Sequence, residues 1–200
     1  MKWDPYKIRK IHFFGDSLTA GYGALFGKGW VSLLETAYPS TSCINHGACG
    51  NMFRDMIDEI HPFLSRAESE EAFFLMGGTN DILSAVRLSW LMSFAEKEIS
   101  LLAKSIPLAV GLPPLPTRTS CITGWQTEQA YNQNTKDLLQ WNNFLKTLCQ
   151  SLSIPWIDFA AALPQEDHFY YDGLHPNTVG YELFFKAAAA VLFPPPEPDT

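Results

Sequence analysis

Apolar residues fall along this chain in two rhythms that take turns. Short runs of strand length lie at 8–14, 42–45, 72–76, 108–111 and 156–158. In the first of them Ile11, Phe13 and Phe14 supply the bulk of a buried strand. Between and after these runs come longer segments with a helical period, at 30–37, 52–64, 90–105, 128–152 and 177–192. Within 128–152 the stripe is Leu138, Leu139, Phe144, Leu145 and Leu148, and in the last helix it is Tyr181, Phe184, Phe185 and Ala188. Such a stripe turns toward a core. Strands that alternate with helices predict an α/β domain, a parallel sheet covered by helices.

No internal repeat or Pro/Gly-rich linker divides the chain, so residues 1–193 are expected to form a single domain. The proline-rich tail 194–200 cannot continue a helix and is expected to fray. The irregular stretch from Gly111 to Trp125 is long for a connection, and loops of that length usually carry function or move. The loop at 112–127 is therefore expected to serve as a lid or a contact surface.

Composition narrows the classes further. The 200 residues are 46% hydrophobic and 18% charged, the balance of a compact globular protein. A chain of this length buries roughly 70% of its unfolded surface as one domain. The net charge of -7 argues against nucleic acid or an anionic membrane surface as the main partner, because both need a basic footprint. No stretch approaches the ~20 apolar residues of a membrane span, so stable membrane insertion is not expected. The first residues run into Lys7, Arg9 and Lys10 without the apolar core of a signal peptide. Cys43, Cys49, Cys121 and Cys149 form no Cys-x-x-Cys pair and no zinc spacing, which reads as free thiols in a reducing cytoplasm.

Four motifs bear chemistry. The first strand ends on Gly15-Asp16-Ser17-Leu18-Thr19. Gly15 permits a tight turn, and Ser17 then sits beyond the carboxyl end of the strand, where open α/β sheets place their ligand crevice. The alternative is a turn serine that caps the next helix. Asp172 and His175 stand three apart, ahead of a helix that Pro176 and Asn177 help to start. That spacing can set a carboxylate against one imidazole nitrogen while the other faces outward, as a base for a serine requires; the alternative is a helix-entry turn with a solvated histidine. Asn80, in Met76-Gly77-Gly78-Thr79-Asn80-Asp81, can donate its amide to a developing oxyanion, or it or Asp81 can cap a helix. Gly50, in Asn45-His46-Gly47-Ala48-Cys49-Gly50-Asn51, can present its backbone N–H at the same place. In a parallel sheet these strand ends share one edge, so the motifs can converge.

In that order and spacing the four motifs resemble the SGNH hydrolases of the GDSL lipase/esterase family. The resemblance runs over almost the whole chain. It implies Ser17 as nucleophile, His175 as base and Asp172 as its orienting acid. It also implies an oxyanion hole from the Ser17 amide, the Gly50 amide and the Asn80 side chain. The implied fold is a three-layer α/β/α sandwich with a five-stranded parallel sheet, flavodoxin-like in type. One departure is Cys49, where many members carry serine before the glycine. The ordinary α/β-hydrolase elbow, Gly-x-Ser-x-Gly, does not fit, since position 19 is Thr.

The remaining conspicuous residues have plainer readings. Asp16 is expected to fix the corner by hydrogen bonds, and Cys49 to be a buried, inert thiol. His12, His46, His61 and His168 show no metal-ligand spacing, with His46 the one expected near the site. Trp90, Trp125, Tyr170 and Tyr171 line a pocket or pack in the core. No phosphate loop is present and no metal or organic cofactor is implied. The expected activity is cleavage of a small-molecule carboxylic ester through an acyl-enzyme, of the lysophospholipase/acyl-esterase type. The alternatives are a carbohydrate O-acetylesterase or a non-catalytic binding module on the same fold. Nothing in the pattern assigns an oligomeric state.

Overall fold

The computed structural model describes residues 2–195. In chain order its elements are β1 (Lys10–Gly15), α1 (Ser17–Ala20), α2 (Trp30–Ala37), β2 (Ser42–Asn45), α3 (Phe53–Ile60), β3 (Glu71–Met76), α4 (Thr79–Leu83), α5 (Leu88–Ser105), β4 (Leu108–Leu112), α6 (Thr119–Ile122), α7 (Glu128–Leu152), β5 (Trp156–Asp158), α8 (Phe159–Ala162) and α9 (Thr178–Leu192), with single 3₁₀ turns at His61–Phe63 and Asp167–Phe169. All neighbouring strands pair in parallel, in the order β2-β1-β3-β4-β5. This is the flavodoxin-like doubly wound order, and its strand sequence reverses beside β1.

Alternation along the strands sorts the side chains into two cores. Phe73 and Leu75 of β3 face the layer of α3, α5 and α7, with Phe14, Leu108 and Val110 beside them. Ala72, Phe74 and Met76 face the layer of α2 and α9, with Ile11, Phe13 and Ile157. The central strands β1, β3 and β4 are thus buried on both faces, which is why they read as nearly continuous apolar runs. One fully buried tryptophan anchors each layer. Trp30 donates its indole N–H to the Leu18 carbonyl at 3.0 Å, and Trp141 donates to the Gly77 carbonyl at 2.9 Å. Truncating a buried tryptophan costs about 3–5 kcal/mol, so both corners of the site rest on large packing terms.

Where element ends depart from expectation, the backbone gives the reason. β1 begins at Lys10 rather than Ile8, because the Ile8 amide closes a turn onto the Asp4 carbonyl at 3.2 Å. α3 stops at Ile60 because Pro62 cannot continue it, and a 3₁₀ turn carries the chain on. In α7 the expected stripe is partly wrong. Leu139 is 46% exposed, and Trp141 and Asn142 take up the buried face with Leu138, Leu145 and Leu148. Leu139 sits one residue, about 100°, off the line that Leu138 defines. Of the tail expected to fray, residues 196–200 lie outside the described residues. Among the described residues no helix is long and apolar enough to cross a membrane.

Candidate active site

The site is assembled where β1, β2 and β3 end and where the chain enters α9. At the first corner, a side chain on Gly15 would stand 2.0 Å from the Thr19 hydroxyl, so only glycine lets the strand turn this tightly. Asp16 caps α1, its Oδ1 accepting the Leu18 N–H at 2.9 Å. The expected corner-fixing role of Asp16 is therefore met. Ser17 opens the helical turn and is buried.

Asp172 and His175 form a second self-made unit. Oδ1 of Asp172 accepts the backbone N–H groups of Leu174 at 3.0 Å and of His175 at 2.8 Å, which folds the turn around Gly173. Oδ2 meets His175 Nδ1 at 2.8 Å, and His175 Nε2 meets Ser17 Oγ at 2.8 Å. Asn177 then caps α9, accepting from the amides of Val179 and Gly180. Serine, imidazole and carboxylate make one hydrogen-bonded line across residues that are 158 positions apart at its first link.

Electrostatics sets the protonation states of that line. Burial pushes the His175 pKa below its usual 6.5, and the opposing pull of Asp172 does not restore it. Burial also pushes Asp172 upward, but the hydrogen bonds from His175 and Leu174 outweigh it and hold the carboxyl below its usual 3.8. Near neutral pH the pair is a carboxylate and a neutral imidazole. A neutral Nε2 facing a hydroxyl is the arrangement that can accept the hydroxyl proton.

Opposite this line stand Gly50 and Asn80. Gly50 takes a left-handed φ of 85°, with nothing within 4 Å of where a Cβ would be, so its surroundings are open. Asn80 lies in α4, where the helix is capped by Gly78 and not by Asn80 or Asp81 as the alternative reading had it. Its Nδ2 donates to the Asn51 carbonyl at 2.9 Å, which aims the amide and leaves one N–H uncommitted. Asp81 instead accepts the Phe53 N–H at 2.9 Å and ties α4 to α3. Ser17, Gly50, Asn80 and His175 wall a cavity of about 140 Å³, together with Tyr22, Cys49 and Trp125.

Three of these wall residues correct or extend the sequence reading. Cys49 is exposed on the cavity wall, not buried. Trp125 comes from the long loop and donates its indole N–H to Asp172 Oδ2 at 2.7 Å, a contact no spacing in the sequence announces. Tyr22 sets its ring edge-on to His175 at 4.6 Å between centroids. His46, expected near the site, pairs instead with His12 at 2.9 Å and stacks on Phe14. Among the described residues no group of three or more His, Cys, Asp or Glu could hold a metal ion.

Asp16 is the one strongly perturbed carboxyl here. Burial raises its pKa to about 7, and the neighbouring Asp81 adds to the rise. A folded pKa above the unfolded value means that ionising Asp16 costs the fold stability. The contribution is whole below pH 3.8, declines as pH rises, and is gone above about 7. Asp16→Asn keeps an oxygen for the Leu18 amide and removes the charge. It should melt at higher temperature than the wild type at pH 8, with the gain shrinking at pH 4.5. An equal difference at both pH values would assign the effect to something other than ionisation.

Comparison with known proteins identifies the family and the fold. The family model for GDSL-like lipases and acylhydrolases matches residues 13–183. Comparison with curated protein sequences finds no match. Among solved structures, a member of the lipolytic G-D-S-L family from Veillonella parvula is 28% identical, with TM-score 0.75 over 90% of this chain and 95% of that one. A lipase/acylhydrolase from Enterococcus faecalis is 22% identical, with TM-score 0.68 over 96% and 100% of the two chains. A mutant acetylxylan esterase from Geobacillus stearothermophilus is 17% identical, with TM-score 0.69 over 92% and 94%. These last two share the fold. The chain belongs to the GDSL-like lipase/acylhydrolase family and is a hydrolase of that group.

Proposed function

We propose that this protein is a serine hydrolase that cleaves carboxylic esters of small molecules through an acyl-enzyme. The observation that carries the reading is the Ser17–His175–Asp172 line, with both links at 2.8 Å and its serine on a cavity wall shared with Gly50 and Asn80. Ser17 Oγ attacks the ester carbonyl and its proton passes to His175 Nε2. Asp172, already ionised, stabilises the imidazolium through Nδ1–H. The oxyanion takes hydrogen bonds from the Ser17 and Gly50 amides and the free N–H of Asn80, a class of contact worth roughly 3–4 kcal/mol per aligned donor. Collapse breaks the C–O bond, and the proton on Nε2 goes to the leaving alcohol. Water then attacks the acyl-serine with His175 again as base, releasing the acid and restoring Ser17.

The surroundings favour an acyl esterase acting on apolar esters. A groove of about 560 Å³ shares Tyr22 with the cavity and is lined by Leu25, Tyr171 and Val179. Two of its polar side chains, Asn177 and Thr178, are engaged within the fold. Asn177 bonds the amides of Val179 and Gly180 and the carbonyl of His168, and the Thr178 hydroxyl accepts the Leu25 N–H. What is left to hold sugar hydroxyls is the two phenols and the Thr178 O–H. The carbohydrate O-acetylesterase reading has one specific support, the small volume at Ser17. At about 30 Å³ per water-sized group, 140 Å³ suits a short acyl chain. A cytoplasmic, single-domain enzyme completes the reading, supported by four thiols that are all unpaired.

A fluorophosphonate probe should add to Ser17 alone, located by peptide mass spectrometry, and the protein should hydrolyse p-nitrophenyl acetate. Neither labelling nor turnover would leave a binding module on this fold. Rates along p-nitrophenyl esters from acetyl to palmitoyl, against acetylated xylo-oligosaccharides, separate the two ester classes.

A further inference from the structure

We propose that Trp125 is a positioning residue for the Asp172–His175 pair; this rests on the serine-hydrolase reading above. Its indole N–H reaches Asp172 Oδ2 at 2.7 Å, the same oxygen that meets His175 Nδ1 at 2.8 Å. Oδ1 already holds the two backbone amides of Leu174 and His175. The carboxylate therefore accepts four hydrogen bonds, about the number of lone-pair sites it has. It has no acceptor site left for water and no low-cost rotation about its last bond. The indole also stands edge-on to the imidazole, 4.9 Å between centroids at 73°, while Tyr22 abuts the same ring at 4.6 Å and 64°.

The loop that delivers Trp125 is fastened to the very turn it serves. The Thr123 hydroxyl donates to the Asp172 carbonyl at 2.7 Å, and the Thr117 N–H donates to the Gly173 carbonyl at 2.7 Å. Gly173, at φ +81°, lies so close that a Cβ would be 2.2 Å from the Ser120 nitrogen. Tyr170 and Gln165 bond the carbonyls of Leu115 and Pro116 at 2.6 and 2.8 Å, and the Trp125 amide bonds the Ser120 carbonyl at 3.0 Å. The segment read from sequence as a lid or a contact surface acts here as a buttress for the acid turn. Its role is to hold a donor against one oxygen.

That donor has an electronic consequence besides a steric one. A hydrogen bond from the indole draws negative charge away from the Nδ1–H contact, so Asp172 raises the basicity of His175 less than a bare carboxylate would. Removing the donor gives the imidazole a stronger partner and raises its pKa. It also frees the carboxylate to turn, which misplaces the base. Misplacement on the scale of 1 Å costs on the order of 10²-fold in rate. The other titratable groups here are Tyr22 and Cys49 on the cavity wall, with Tyr181 and Asp16 inside the fold.

The test measures kcat, KM and the acid limb of kcat/KM on p-nitrophenyl acetate for wild type, Trp125→Phe and Trp125→His. Trp125 is 44% exposed, so neither change opens the core. Trp125→Phe should lose about tenfold or more in kcat, with KM moving less, and its acid limb should shift to higher pH. Trp125→His places Nε2 where the indole nitrogen stood and should recover kcat at pH 8. An unchanged kcat and acid limb with a raised KM would make Trp125 only a cavity wall. Equal loss in both variants would mean that bulk matters and the N–H does not. Either result overturns the proposal alone. Wild-type protein that neither turns over the ester nor takes up the fluorophosphonate overturns the hydrolase reading first.

Discussion

Ser17→Ala should lower kcat/KM on p-nitrophenyl acetate by about 10⁴-fold or more, to the level left by the oxyanion donors and binding. The change removes one oxygen from a buried side chain whose bond goes to His175 Nε2. The cap on Leu18, the glycine corner and the Trp30 contact to the Leu18 carbonyl all remain. Loss of one neutral hydrogen bond costs about 0.5–1.5 kcal/mol. For a chain of this length that moves the melting temperature by only about 2–4 °C per kcal/mol. Activity and stability should therefore separate cleanly. Wild-type turnover in the variant would remove Ser17 from the chemistry, and a collapsed fold would show that the corner needs its hydroxyl.

The central strands are legible because burial on both faces writes β1, β3 and β4 as nearly unbroken apolar runs. α2, β2, α7 and β5 begin and end at the residues that periodicity predicts. The polar motifs were legible for a related reason. Three of them follow strands, and parallel strands deliver their carboxyl ends to one rim, so 17, 50 and 80 can meet there, and the order β2-β1-β3 makes them neighbours. What escaped depends on contacts between segments that carry no local mark. Trp125 sits in a loop with no period, and its partner is 47 residues away, so its hydrogen bond could be seen only in three dimensions. Cys49 stands beside Gly50, and a thiol there carries no sign of which way it faces. His46 turns to His12 and the Phe14 ring on the neighbouring strand, a pairing across strands that no local pattern marks. Trp141 was missed because an indole ranks ambiguously in a stripe, until the Gly77 carbonyl supplies the partner its N–H needs.

The order of the strands also explains why the acid and base arrive from so far along the chain. After β2 the winding reverses, so that β3, β4 and β5 add on the other side of β1 and β5 lies at the far edge. The chain then crosses back in the segment before α9, which packs against α2 on the β1 side of the sheet. Asp172 and His175 enter at that crossing, so the imidazole meets Ser17 from the α9 side while Gly50 and Asn80 follow the ends of β2 and β3. A reacting carbonyl between them would meet donors on one side and the base on the other.

Asp172→Asn should cost about as much as removing the serine's partner altogether, on the order of 10⁴-fold in kcat, with little change in shape. The two backbone amides of Leu174 and His175 both require an acceptor at the Oδ1 position, so the asparagine oxygen must go there. Its NH₂ is then forced into the place of Oδ2, facing His175 Nδ1 and the Trp125 indole N–H. Nδ1 can keep a hydrogen bond only as an acceptor, which moves the ring proton to Nε2. Nε2–H pointing at Ser17 Oγ donates where it should accept, and the hydroxyl keeps its proton. The same placement sets two donors against each other at Trp125, so the loop should loosen at that point. Pairing the change with Trp125→Phe relieves that clash without restoring the tautomer. The double variant should regain melting temperature and remain inactive, whereas recovery of turnover would show that Asp172 acts through loop packing and not through the imidazole proton.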